Sequence, residues 1–141
     1  MSRPARSSTV ARYRGLAAAC ALMLGLAAPA GAFTSVNGLT VKPMEGGRFI
    51  VLWGGRSGDA SFWCAAADYA GRRLGLRGRA RIWRISEPPR RAGQGIVFST
   101  SSAGAATHSG ITRIGGPKRP DFSLGAAETF CDNDVEFRNN D

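Results

Sequence analysis

Two cysteines constrain this chain more than any other feature, and they do so because a third is removed from the count. The 141 residues contain Cys20, Cys64 and Cys131. Cys20 lies in an N-terminal stretch where Arg3, Arg6, Arg12 and Arg14 precede an apolar run, Leu16 to Ala28, closed by Pro29-Ala30-Gly31-Ala32. A basic start, an apolar middle and a small-residue exit are the layout of a cleaved secretory signal peptide, here residues 1–32. The apolar run falls short of the roughly 20 residues that a membrane-spanning helix needs. Cys20 follows Ala17-Ala18-Ala19, a loose match to a lipid-attachment box, but too few apolar residues precede it and cleavage is the better reading.

Export changes what the remaining pair means. In a periplasmic or secreted protein the compartment is oxidising, and an even pair of cysteines is expected to form a disulfide, Cys64 to Cys131. The alternative, a nucleophilic Cys64, has no local support: the single histidine, His108, lies in a Gly/Ala/Ser-rich stretch and no Cys-x-x-Cys spacing occurs. The signal peptide also carries four of the 19 basic residues, so residues 33–141 hold 15 basic against 10 acidic groups, a net +5 rather than +9. Those 109 residues suffice for one domain with a modest core.

Along residues 33–131 the pattern predicts a small α+β domain. Asn37-Gly38 marks a turn before a short strand near Leu39 to Lys42. Arg48-Phe49-Ile50-Val51-Leu52-Trp53 is nearly continuous apolar text between glycine pairs and reads as a strand buried on both faces. From Asp59 to Leu74 a 3.6-residue period places Phe62, Trp63, Ala66, Ala67, Ala70 and Leu74 on one arc, with Asp68 and Arg72 opposite and four apart. Ser57 or Asp59 is the expected N-cap, and Gly75 the expected stop. Strands at Arg79–Ile85 and Gly95–Thr100 flank the Pro/Gly-containing loop Ser86–Gln94 and read as a hairpin. After a long loop with one β-like scrap at Ile111–Ile114, a short helix from Leu124 to Cys131 follows Ser123. Residues 132–141 form an acidic tail that is expected to be disordered. The expected fold is a mostly antiparallel sheet of three to five strands, one face covered by the main helix, with the C-terminal helix tied to it by the disulfide.

Charge is clustered. Eight arginines lie between Arg72 and Arg91 against one acid, Glu87. Strand alternation sends Arg79, Arg81 and Trp83 to one face, and Arg90 and Arg91 occupy the following loop. Arginines beside an aromatic suit an anionic partner, because the guanidinium binds oxyanions bidentately and stacks on rings. An anionic envelope polymer, an acidic lipid headgroup or a protein fits that description, and export argues against nucleic acid. The bland reading has weight: 13 of the 15 basic groups are Arg and Gly fills 16 positions, as a GC-rich genome produces without a ligand. The acidic tail is a second candidate to cover this face.

Enzyme templates fail. One His and two oxidised cysteines supply no metal site, the glycine pairs match no phosphate loop and no cofactor motif appears. No catalytic residue is assigned; the runner-up is a small hydrolase using His108 with a serine or Asp121.

The succession VNGLTV (36–41), RFIVLW (48–53), FWCAAADYA (62–70), RRLG (72–75), the R-x-R-I-W-R strand (79–84) and a late Cys131 resembles a group of small, uncharacterised exported proteins of alphaproteobacteria. The similarity runs from Val36 to Cys131, with FWCAAADYA its most specific piece, and the acidic tail here is longer than in that group. The resemblance implies export and the same cysteine pairing, and no activity. The function expected from the sequence is a non-enzymatic exported protein with a basic Arg/Trp face.

Overall fold

The computed structural model describes residues 31–55, 58–112 and 117–138, with side chains described as far as Asp132. Residues 1–30, which hold most of the expected signal peptide and Cys20, lie outside the described residues, as does Ser57.

Six short strands form one sheet: β1 (Phe33–Thr34), β2 (Thr40–Pro43), β3 (Arg48–Val51), β4 (Arg81–Arg84), β5 (Ile96–Ser99) and β6 (Asp121–Ser123), in the order β1-β2-β3-β5-β4-β6 with every pair antiparallel. The expected three to five strands are therefore six. The two that pattern reading missed are two and three residues long, too short to show an alternation. Helix α1 (Asp59–Arg72) joins β3 to β4. Both strands pair antiparallel with β5, so they run parallel to each other with β5 inserted between them. Joining parallel strands needs a crossover of a dozen or more residues, which α1 supplies.

Register assigns the faces. Phe33, Val41, Val51 and Ile96 line up across four strands, and Phe49 lies opposite Phe98. These side chains, with Ile82 and Phe122, are buried against Phe62, Trp63, Tyr69 and Ala70 of α1. Trp63 meets Phe98 and Phe122 edge-on at 4.8 and 4.7 Å between ring centroids, and its Nε1 donates to Ser109 O at 3.0 Å. That geometry suits the ring quadrupoles and satisfies the one polar atom of the indole. The strand expected to be buried on both faces, β3, is not: Phe49 and Val51 are buried, Arg48 is exposed, Ile50 is half-buried and Trp53 beyond it is 48% exposed. Both helices lie on the other side of the sheet, so only one face gains a hydrophobic layer.

Helix α2 (Leu124–Arg138) packs along α1, held by the disulfide between Cys64 and Cys131, whose Cα atoms are 4.8 Å apart. Closing a 67-residue loop in this way stabilises a domain by about 4 kcal/mol on the loop-entropy argument. Because α2 covers one side of α1 and the sheet the other, every residue from Ser61 to Ala67 is buried, including Cys64 and Ala65 off the expected arc. The same helix corrects two further expectations. Its N-cap is Gly58, with no side-chain cap, while Asp59 is spent on an ion pair described below. It stops at Arg72, so Leu74, expected on the apolar arc, is 41% exposed. Gly75, at φ +70°, turns the chain away, and Leu76 N–H donates to Ala70 O at 3.0 Å. The i, i+4 pair is present: Arg72 Nη1 lies 3.2 Å from Asp68 Oδ2. Finally, α2 continues to Arg138, through most of the segment expected to be a disordered tail.

Candidate functional site

Strand β4 decides where the arginine cluster goes. Its alternation turns Ile82 and Arg84 toward the core and Arg81 and Trp83 toward the outer face. Register then sets Trp83 beside Asp121 on one flank and Ser99 on the other, and Arg48 beyond Ser99. The expected group of five does not form one surface. Arg79 is exposed in the turn before β4, which begins only at Arg81. Arg81 and Trp83 share the outer face, each half-buried. Arg90 lies on the opposite side of the sheet, its guanidinium 4.8 Å from the Phe62 ring centroid and its Nη1 donating to the carbonyls of Arg91 and Gln94 at 3.2 and 3.1 Å. Arg91 is exposed in that same loop. The loop packs against the N-terminal end of α1, and neither of its arginines lines the cavity that Arg81 lines.

What gathers beside Arg81 instead comes from the segment ahead of β6. Asp121, buried at 6% exposure, accepts from Arg81 through Nε and Nη2 on one oxygen and from Arg119 Nε at 3.3 Å on the other. Lys118 is exposed beside them. These four side chains line a cavity of about 580 Å³ at the β6 edge of the sheet, together with His108, Ile111, Phe122 and Ala126. Among the described residues three cations face one carboxylate there, an excess of positive charge. Lys118 and Arg119 escaped sequence reasoning because Lys118-Arg119-Pro120-Asp121 sits in a long loop with no period; an acid flanked by cations was the only signal.

Arg84 is the second departure. Counted among the clustered surface cations by sequence, it is fully buried. Its Nη1 donates to Asp59 Oδ2 at 2.7 Å and to Ser109 O at 3.0 Å, and its Nε donates to Ser86 O at 2.7 Å. Among the described residues its Nη2 has no hydrogen-bond partner. Gly110, at φ +84°, closes over the pair: a methyl group there would run into Asp59 Oδ2 and Arg84 Nη1. This is a structural ion pair under a loop, not part of an accessible basic face.

His108 lines the large cavity and also a smaller one of about 250 Å³ with Asp59, Arg90 and Gly110. Its Nδ1 accepts the Gly110 N–H at 3.2 Å. Ser109 Oγ accepts from Ile111 N–H at 3.2 Å, the Asp59 and Asp121 carboxylates are held by arginines, and that of Glu87 by Thr107. Among the described residues no hydrogen bond joins His108 to a hydroxyl or a carboxylate, so the nucleophile, base and orienting acid of a hydrolase are not assembled. Next to His108, the Thr107 N–H at 3.0 Å and the Thr107 hydroxyl both donate to Glu87 and hold its carboxyl below the usual range.

No group of three or more His, Cys, Asp or Glu among the described residues is placed to hold a metal ion, and no helix there is long and apolar enough to cross a membrane. Comparison with family models, with curated proteins and with solved structures returns no match.

Proposed function

We propose that this chain is an exported, non-enzymatic binding protein whose basic site at the β6 edge takes an anionic component of the cell envelope. The observation that carries the reading is the convergence of Arg81, Lys118 and Arg119 on one cavity with Asp121 as their single acidic neighbour among the described residues. Asp121 does not cancel the cluster; it holds the Arg81 guanidinium through two donors, so the remaining N–H donor of that group is oriented before a ligand arrives, with Arg119 beside it. Trp83 and Arg48 extend the surface across the outer face. The disulfide that pins α2 supports an oxidising compartment, in the periplasm or outside the cell.

Retention on an anionic matrix at rising salt tests the reading, provided that charge loss alone is controlled. The double variant Arg81→Ala/Arg119→Ala should elute at clearly lower salt than Arg79→Ala/Arg91→Ala, which removes the same charge elsewhere. Equal elution of the two variants would overturn the assignment of the site.

A further inference from the structure

The cavity at the β6 edge is not polar throughout. Its wall is built by Phe122 on β6, Ala126 on α2 and Ile111 in the preceding loop. Ile111 and Ala126 are partly buried and pack against the hydrophobic core, so the apolar lining is continuous with the interior rather than a surface accident. The same cavity is lined by the cations: Arg119 and Lys118 are exposed, and Arg81 is half-buried on the outer face of β4. The volume, about 580 Å³, falls within the range of pockets that enclose a small molecule.

We infer that the cavity binds a small organic acid with an apolar body, such as a medium-chain carboxylate, its headgroup between Arg81 and Arg119 and its chain along Phe122, Ala126 and Ile111. The inference rests on the reading of this site as an anion-binding one and narrows it to a ligand class. The unmatched positive charge receives the carboxylate, and because Asp121 already holds Arg81 through two donors, little freedom of that side chain is lost on binding. The wall adds affinity in proportion to the apolar area it removes from water. No bond is made or broken.

Each ingredient has its own readout. Calorimetric titration of the disulfide-bonded protein with hexanoate, octanoate and decanoate should show affinity rising with chain length, by up to about fourfold per methylene while the wall is being covered. Octan-1-ol, which has the chain without the charge, should bind at least tenfold more weakly than octanoate. Ala126→Phe fills the wall without altering any charge and should abolish the chain-length dependence, with a thermal melt confirming the fold. Carboxylates that bind with no dependence on length, or that fail to bind, overturn the inference. If in that case retention on the anionic matrix still depends on Arg81 and Arg119, the broader reading stands and the partner is a polyanion. If that retention is also lost, both fall. The series on the unaltered protein decides the question even if the Ala126 variant does not fold.

Discussion

Arg81 and Arg84 lie three residues apart on one strand and meet opposite surroundings. Arg81 points outward and shares Asp121 with Arg119 at the mouth of a cavity. Arg84 points inward, fully buried, with Asp59 and two carbonyls as partners and Gly110 closing over it. The contrast teaches that a cluster of arginines in a sequence is not one surface. In water an arginine is free to wait for a partner; in the core it must bring its partner with it, because an uncompensated buried charge costs several kcal/mol.

The comparison can be broken by substitution. Arg84→Met removes the buried cation and leaves the Asp59 carboxylate without its guanidinium; the expected loss of folding stability is about 3–5 kcal/mol in urea denaturation. A loss below about 1 kcal/mol would place Arg84 among the ordinary surface arginines. Gly110→Ala attacks the same pair from above, by collision and by left-handed strain, and should cost about 2–4 kcal/mol. If Gly110→Ala melts like the wild type, the closure over Arg84 is not real.

On the other side of the strand the effects shrink. Arg81→Met should cost about 1–3 kcal/mol, less than Arg84→Met because Arg81 is itself partly solvated and Arg119 still faces the nearly buried Asp121 carboxylate. Its consequence should appear in anion retention as well, which sharpens the division between a structural and a binding arginine. The smallest effect belongs to Glu87. Its lowered pKa in the folded state means that the ionised form is favoured by folding, so its contribution is complete at neutral pH and is lost as pH falls through the lowered value. Thermal melts of wild type and Glu87→Gln should therefore differ most near pH 7 and converge in acid. A difference that grows on acidification would contradict the Thr107 contacts.

Much of the fold was legible, and the parts that were not share a cause. The hairpin of β4 and β5, helix α1 and the link from Cys64 to Cys131 follow from period, turn residues and cysteine count. Alternation on β4 correctly separated Arg81 and Trp83 from Ile82. The full burial of α1 was invisible because it depends on a second helix whose docking face no local pattern reveals. The candidate site was half legible: Arg81 was readable, whereas Lys118 and Arg119 reach it from a loop with no period, and Arg90 leaves it because its loop packs on Phe62.

Sequence alone determined the covalent frame and the elements: which two cysteines pair, where the main helix begins and ends to within a few residues, and that the chain is basic with few acids near its arginines. Only the tertiary structure decided which charges are accessible. Burial and pairing depend on what a side chain faces across the sheet or beneath a loop, and contacts between residues 25 to 40 positions apart, as in Asp59 with Arg84 and Arg81 with Asp121, leave no mark on the local pattern of either partner.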